Sequence, residues 1–181
     1  MTKICIDAGH GGKDVGAVNG KYYEKNAALG IALKLGDKLK EKGIKVIYTR
    51  KDDIYPSLPQ RCKIANDNKA DYFVSIHCNS AENKNASGIE TWKFPNAGGI
   101  TKKLADNVQN ALTSAFPEEN DRGVKESGLY VLTHTKMPAI LVEVGFISND
   151  RVAPLLFSYS YQMKLADRIC EGILNTINHS G

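Results

Sequence analysis

Residues 3–12 read KICIDAGHGG, and this stretch decides the class of fold. The apolar run over residues 3–7 predicts a buried strand, and the glycines that follow predict a tight loop. His10 therefore follows directly after the end of a strand. Glycines in such a loop also let a ligand approach the backbone closely. We expect a buried first strand that leads into a loop with a functional role.

Working outward from this stretch, strand and helix patterns alternate along the chain. Further strands are predicted over residues 45–49, 71–77, 88–94, 129–133 and 138–146, and helices over residues 24–42, 57–68 and 100–116. A last helix is indicated by apolar residues at helical spacing, namely Ala166, Ile169, Ile173 and Ile177. Strands separated by helices of this size are typical of an α/β domain. We therefore predict one domain of three layers, with a mostly parallel sheet and helices on both faces.

Two helix ends carry specific local signals. Gly43 follows the apolar periodicity of residues 24–42, in the position where a helix commonly ends with a left-handed residue. Ser57 is followed three positions later by Gln60, which is the capping-box pattern of a helix start. These signals predict where two of the helices meet their loops.

Length and composition exclude several classes of protein. The chain has 181 residues, of which 42% are hydrophobic and 24% charged, as in a globular domain of ordinary size. A domain of this length needs neither a metal ion nor a disulfide to fold, so a metal would serve chemistry. The four cysteines are widely spaced and lie among apolar residues, which predicts buried free thiols: Cys5, Cys62, Cys78 and Cys170.

Charge and hydropathy bear on partners and location. The chain has 24 Lys and Arg residues against 20 Asp and Glu residues, which is a mild positive excess. It lacks the basic stripe of a nucleic-acid-binding protein. A mild excess of this kind suits an anionic wall polymer. No apolar run reaches membrane-spanning length, and the N-terminus lacks the apolar segment of a signal peptide. We expect synthesis in the cytoplasm without a leader, with a trimmed secreted form as the alternative.

Three polar residues are associated with predicted strands and are expected to point toward the end of the sheet where α/β domains form their sites. His10 follows the first strand, His77 closes the strand over 71–77, and Glu143 lies inside the apolar run PAILVEVGF. A carboxylate in such a run must be paired, protonated, bound to a metal or catalytic. The sequence therefore predicts a functional site that contains Glu143 and two histidines.

Two histidines and an acid would suit a catalytic zinc ion, which takes about three protein ligands and keeps one position open. Glu24 opens the predicted helix over 24–42, but a carboxylate there is also favoured by the helix dipole alone. Asp7 is a second candidate, either as a ligand or as an acceptor for an imidazole N–H. The sequence contains no H-E-x-x-H, G-x-S-x-G, Walker A or G-x-G-x-x-G pattern, so those enzyme classes are not supported.

Four segments in order carry a family resemblance. They are ICIDAGHGGKDVGA at 4–17, YEKNAALGIALKL at 23–35, ADYFVSIHCNS at 70–80 and PAILVEVGFISN at 138–149. Together they resemble the zinc-dependent N-acetylmuramoyl-L-alanine amidases, the peptidoglycan hydrolases of autolysins, spore-lysis enzymes and phage endolysins. The resemblance covers nearly the whole chain and implies one α/β domain with a mixed sheet of about six strands.

The resemblance also implies roles for individual residues. His10, Glu24 and His77 would bind Zn²⁺, and Glu143 would be the catalytic carboxylate that hydrolyses the bond between N-acetylmuramic acid and L-alanine. Cys78 departs from the family pattern, which usually has alanine after the SIH motif. An enzyme of this kind, made without a leader, would reach the wall after the membrane is breached, whether its origin is a phage or a bacterium.

Some assignments stay open at this point. Arg122 and Lys125, in the segment DRGVKESG, are candidates for binding substrate carboxylates, or are parts of an ordinary solvated loop. His134 follows the predicted strand over 129–133 and is a candidate for the rim of the cleft, without an assigned role. Residues 1–177 are expected to form the catalytic domain, and residues 178–181 a polar tail or the start of a linker to a wall-binding domain. The rival functions are a zinc carboxypeptidase and a wall-binding module with a structural metal.

Overall fold

The computed structural model describes residues 1–178 as an α/β domain. Eight strands are present in this part of the chain: β1 (Lys3–Ala8), β2 (Val18–Asn19), β3 (Tyr22–Tyr23), β4 (Lys45–Tyr48), β5 (Tyr72–Asn79), β6 (Ile89–Lys93), β7 (Asp121–Glu126) and β8 (Ala139–Phe146). The helices over the same residues are α1 (Glu24–Glu41), α2 (Leu58–Asp67), α3 (Gly99–Ala115), α4 (Tyr130–Thr133), α5 (Val152–Leu156) and α6 (Tyr159–Asn178).

Six of the strands form one mixed sheet in the order β4-β1-β5-β8-β6-β7. β4, β1, β5 and β8 run parallel, whereas β6 is antiparallel to β8, and the edge strand β7 is parallel to β6. β2 and β3 form a separate two-stranded ribbon before α1. The predicted three-layer domain with a mostly parallel sheet is confirmed.

The two faces of the sheet are covered unequally. One face packs its apolar side chains, such as Ile6 and Val142, against α1, α3, α5 and α6 in a large core. The other face packs Cys5, Phe73 and Leu141 against only α2 and α4, in a smaller core. Because α2 and α4 are short, this second face stays open near the carboxyl ends of the parallel strands. That opening leaves room for a site.

The two local end signals are confirmed. Gly43 has φ +75°, and the N–H groups of Gly43 and Ile44 donate to the carbonyls of Lys40 and Leu39, which is the Schellman arrangement. At α2, Ser57 Oγ accepts from the Gln60 backbone N–H, and Gln60 Oε1 accepts from the Ser57 N–H. In both cases the capping interactions involve residues close in sequence, so the sequence was sufficient to predict them.

Two predicted assignments were wrong. Residues 129–133 were expected to be a strand, but Tyr130–Thr133 is a helical turn that packs Val131 and Leu132 into the smaller core. Aromatic and branched residues favoured a strand there, and tertiary packing overrode that preference. The alternative that placed Arg122 in an ordinary solvated loop is also wrong, because this segment forms β7. The residues of this edge strand are exposed or only partly buried, so it lacks the apolar alternation that identifies inner strands.

Other expectations concern the cysteines, the helices and the chain end. All four cysteines are buried and unbridged, as predicted. Among residues 1–178, no helix is long and apolar enough to cross a lipid bilayer. The polar end of the chain is helical as far as Asn178, and Thr176 is buried. His179 and the rest of the predicted tail lie outside the described residues.

Candidate metal site and catalytic cleft

Strand alternation places the candidate side chains on the open face of the sheet. His77 shares its face of β5 with Phe73, and Glu143 shares its face of β8 with Leu141, on the side of α2 and α4. His77 and Glu143 are directly paired in the parallel register of β5 and β8. The two side chains are therefore neighbours at the end of the sheet where the predicted site lies.

The loop after β1 brings His10 to the same place and depends on glycine. His10 has φ +60°, a left-handed conformation, and its ring lies edge-on to the His77 ring at a centroid distance of 5.0 Å. A β-carbon on Gly9 would lie 2.3 Å from Cε1 of His77. A β-carbon on Gly16 would lie 2.6 Å from Glu24 Oε2 and 2.7 Å from Cδ2 of His10. The backbone thus packs so tightly around the site that no side chain fits at either glycine.

Glu24, the first residue of α1, lies between the two imidazoles. Its Oε2 is 3.1 Å from His10 Nε2, and its Oε1 is 3.2 Å from His77 Nδ1. The backbone N–H groups of Ala17 and Cys78 donate to the same two oxygens and fix the carboxylate. Glu24 therefore contacts both histidines, and its role as a ligand stays a prediction.

The donor set fits a small divalent cation such as zinc. One ligand atom each from His10, Glu24 and His77 lie within 4.8 Å of one another, and this is the group of possible ligands found among the described residues. Tetrahedral zinc with bonds of about 2.0–2.1 Å brings neighbouring ligand atoms to about 3.3 Å. The contacts of Glu24 with the two histidines are close to that spacing. Two nitrogen ligands and one carboxylate also match the ligand types of catalytic zinc sites.

Asp14, rather than Asp7, orients the imidazole of His10. Nδ1 of His10 is 2.9 Å from Asp14 Oδ2, and this leaves Nε2 facing Glu24. Asp7 is buried, and its carboxylate accepts from Thr49 Oγ1, Ser75 Oγ and Arg61 Nη1. The alternatives that made Asp7 a ligand or the imidazole acceptor are corrected accordingly: these donors engage both of its oxygens. A carboxylate that orients a ligand histidine is a common feature of metal sites.

Titration of the site reflects this packing. Burial disfavours the charged forms of Glu24 and His10, but their mutual contact outweighs the effect of burial. The pKa of Glu24 therefore lies well below its usual range, and the pKa of His10 is raised to about 9. In Glu143 burial prevails and raises the pKa to about 7. A carboxyl group with a pKa near neutrality is suited to exchange protons at physiological pH.

Glu143 has a polar atom without a partner. Its Oε2 is shielded from solvent, and within residues 1–178 no hydrogen-bond partner reaches it. Buried carboxylate oxygens in native proteins are normally satisfied, so an orphaned one next to a possible metal site indicates a functional role. The carboxylate is free to accept a proton from a group that enters the cleft.

Two buried arginines, which the sequence analysis missed, hold the loop that carries His10. Arg50 donates to the carbonyls of Ala8, Gly9 and Lys25 at 2.8–3.0 Å. Arg61 donates to the carbonyls of Ala8 and His10, each at 2.6 Å, and forms an ion pair with Asp7. No local motif marks this role, because the acceptors are backbone carbonyls 25–53 residues away.

Arg122 and Lys125 lie at the far side of the sheet on β7, where both bind Glu90. Arg122 Nε and Lys125 Nζ are 2.7 Å and 2.8 Å from Glu90 Oε2. His134 stacks on Tyr130 at a ring-centroid distance of 3.8 Å and takes no part in the group around Glu24.

A cleft of about 250 Å³ opens beside His10 and His77. Its lining combines the polar site residues with apolar side chains from three separate segments: Tyr55, Leu58, Leu129, Tyr130, Val131 and Leu141. The apolar wall was not predicted, since it forms only when the segment before α2 meets α4. The arrangement is a concave, mostly apolar site with a few convergent polar groups, as is typical of small-ligand pockets.

The sequence profile of the family described as N-acetylmuramoyl-L-alanine amidase matches residues 4–175. The chain belongs to this family. Among its relatives, the germination-specific N-acetylmuramoyl-L-alanine amidase of Bacillus subtilis is 33% identical over 192 residues, which cover 98% of this chain and 81% of that protein. The uncharacterised protein YqiI of the same organism is 44% identical over 171 residues, covering 94% of this chain and 82% of its own.

A solved structure agrees with the amidase assignment. The crystal structure of N-acetylmuramoyl-L-alanine amidase from Clostridium difficile 630 matches with a TM-score of 0.95 and 40% identity, covering 99% of this chain and 98% of that one. The family resemblance drawn from the four segments is thereby confirmed, together with the fold and the class of activity, a peptidoglycan amidase.

Proposed function

We propose that this amidase is a zinc enzyme that hydrolyses the amide bond between N-acetylmuramic acid and L-alanine in bacterial peptidoglycan. The observation that carries the proposal is the placement of Glu143 beside the three potential ligands. His10, Glu24 and His77 present their donor atoms together, and Glu143, whose shielded Oε2 has no partner among the described residues, lies on the neighbouring strand.

In the proposed mechanism, His10, Glu24 and His77 hold the zinc ion. When bound, zinc supplies a Lewis acid that lowers the pKa of a coordinated water toward about 7 and polarises an amide carbonyl. Asp14 keeps the His10 ring in one tautomer by accepting from Nδ1. The N–H groups of Ala17 and Cys78 hold both carboxylate oxygens of Glu24. These contacts position the ligands before the ion binds, so little reorganisation is needed.

Glu143 is the proposed proton carrier. It would accept a proton from the attacking water and donate it to the amine of the departing L-alanine. The same residue thus serves both halves of the reaction.

Mass spectrometry of digested peptidoglycan tests bond and reaction class together. We expect purified walls to yield stem peptides with a free L-alanine amino group and glycan strands that keep the lactyl carboxylate. A carboxypeptidase would instead release single terminal residues, and a binding module would release nothing. Either of these product patterns would refute the proposal.

The metal is tested separately. Removing metal with a chelator should abolish wall lysis, and stoichiometric Zn²⁺ should restore it. Metal analysis should find one zinc per chain. Full activity of a protein shown to be free of metal would disprove the zinc dependence while leaving the amidase assignment intact.

A further inference from the structure

Beside Glu143, a second acidic residue organises the open face of the sheet. Glu90 on β6 is directly paired with Glu143 in the antiparallel register, so the two side chains emerge on the same face. Glu90 is only 3% exposed, and its Oε1 accepts from Asn79 Nδ2 and Trp92 Nε1. Its other oxygen is engaged by the two cations of β7, Arg122 and Lys125.

The positive charge of Arg122 and Lys125 exceeds the negative charge of Glu90, which holds them in place. Glu90 carries one negative charge, whereas Arg122 and Lys125 together carry two positive charges, and their side chains are 36% and 33% exposed. Arg122 uses only Nε toward Glu90, and in the described part of the chain no hydrogen bond engages its two terminal nitrogens. The group therefore presents a net positive charge and a pair of preorganised donors toward solvent.

The spacing of strands places this group at a definite distance from the metal site. β5, β8 and β6 are successive neighbours, so about 10 Å separates His77 from Glu90 across two strand spacings. An extended peptide spans about 3.3–3.6 Å per residue. A peptide whose first residue is being released at the metal site would reach the cations with its second or third residue.

The opposite side of the metal site has a different character. There the cleft wall is apolar and aromatic, formed by Tyr55, Leu58, Leu129 and Tyr130. Such a wall suits the faces of a sugar ring and an acetyl group better than it suits charge. The cleft beside His10 and His77 therefore has an apolar wall, whereas the charged group lies outside its lining, farther along the sheet on β6 and β7.

We propose that Arg122 and Lys125, held in place by Glu90, form a subsite for a carboxylate of the stem peptide. This inference rests on the proposed function. It adds the orientation of the bound substrate, with the peptide toward β7 and the glycan toward Tyr55. A carboxylate receives charge-assisted hydrogen bonds from both cations without displacing Glu90, since Arg122 has unused donors and a Lys ammonium has three. Glu90 is a positioning residue in this scheme.

Substrates that differ in one carboxylate test the subsite without any mutation. Four disaccharide tripeptides, each with its C-terminal carboxyl group blocked as the amide, combine D-isoglutamate or its amide D-isoglutamine at the second position with L-lysine or meso-diaminopimelate at the third. Release of the free tripeptide gives kcat and KM for each. We expect kcat/KM to be roughly tenfold higher when the favoured carboxylate is present, as for one charge-assisted hydrogen bond. The pairwise comparison shows whether the second or the third residue supplies it.

Variants then separate binding from a merely structural ion pair. In Arg122→Gln and in Lys125→Gln, the ratio of kcat/KM between carboxylate and amide substrates should fall toward one, mainly through KM. Arg122→Lys should keep part of the preference. Lys102→Gln, which removes an exposed cation of α3, is the matched control and should leave the ratio unchanged.

The outcomes are distinguishable. Equal kcat/KM for all four substrates, or a substrate preference that survives in both variants, would overturn the subsite while the amidase proposal stands. A uniform loss on every substrate with an unchanged ratio would assign the cations to folding alone and would also overturn it. Cleavage of none of the four substrates by the zinc-loaded protein would count against the proposed function itself, and the subsite would fall with it.

Discussion

Gly9 lies against the imidazole of His77 with no room for a side chain. A β-carbon at residue 9 would approach Cε1, Nδ1 and Nε2 of His77 to 2.3–2.6 Å, distances that real contacts do not reach. The loop after β1 and the end of β5 are thus in direct backbone-to-ring contact. This contact fixes the distance between His10 and His77, the two histidines of the proposed zinc site.

The first prediction concerns this contact. Gly9→Ala should move the His77 ring and lower the affinity for Zn²⁺ by at least about tenfold, because zinc ligand distances tolerate only about 0.2 Å. Gly98→Ala is the control, since a β-carbon on Gly98 meets nothing within 4 Å. Zinc titration calorimetry measures both. Equal affinities in the two variants would show that the ring adjusts without cost.

The second prediction concerns Glu24 as a ligand. Glu24→Gln should lower zinc affinity by more than about hundredfold, because the amide provides a neutral donor and cannot balance the charge of the ion. Glu41→Gln removes an exposed carboxylate from the other end of the same helix and should bind zinc normally. Metal content after dialysis gives the result. One zinc per chain in Glu24→Gln would leave this residue only its favourable position in the helix dipole.

The third prediction separates catalysis from metal binding. Glu143→Gln should retain zinc and the fold but lose about 10²–10⁴ in kcat, the contribution typical of a positioned acid–base group. Its KM should change little. Peptide release from purified walls, measured together with metal content, provides the test. An active Glu143→Gln protein would eliminate Glu143 as the proton carrier.

The fourth prediction concerns the buried guanidinium of Arg50. It connects the loop of His10, through the carbonyls of Ala8 and Gly9, to the first turn of α1, through the carbonyl of Lys25. Arg50→Lys keeps the charge but cannot reproduce this fork, so unfolding free energy should fall by about 2–4 kcal/mol, with weaker zinc binding. Arg168→Lys, on the surface of α6, is the control. Urea unfolding of the metal-free proteins measures the effect, and matching stabilities would contradict it.

The fifth prediction is a pH dependence of stability through Glu90. Burial opposes ionisation of Glu90, but hydrogen bonds from Lys125 and Arg122 outweigh it and hold the pKa of Glu90 below its ordinary value. A lowered pKa in the folded state stabilises the protein fully above the unfolded-state value of about 4.3, and the gain is lost as pH falls through the folded value.

Glu90→Gln should therefore be less stable than the parent by about 1–2 kcal/mol at pH 7, a modest figure because both cations are partly solvated. The difference should shrink as the pH falls below about 4. Glu82→Gln, which removes an exposed carboxylate, serves as the control. Urea unfolding between pH 3.5 and 7 gives the curves, and a gap that stays constant over this range would be evidence against the ion-pair contribution.

Much of the fold could be predicted because its signals are local. The capping box at Ser57 and the helix end at Gly43 involve partners within about one turn, so the sequence around them contains the whole interaction. The inner strand β8 was visible as an apolar run. The edge strand β7 and the helical turn α4 were not, because pairing with β6 and packing against α2 decide them.

The sequence by itself determined the chemistry available to this protein: two histidines at strand ends, a glutamate at a helix start and a carboxylate inside an apolar strand. Those signals are readable because each is a polar residue in an apolar or glycine-rich context. Only the tertiary structure decided how they work together. It chose Asp14 over Asp7 as the partner of His10, placed Arg50 behind the loop, and joined Arg122 and Lys125 through Glu90. These contacts join residues whose types give no hint of their partners, since distance and orientation arise only when strands and helices pack.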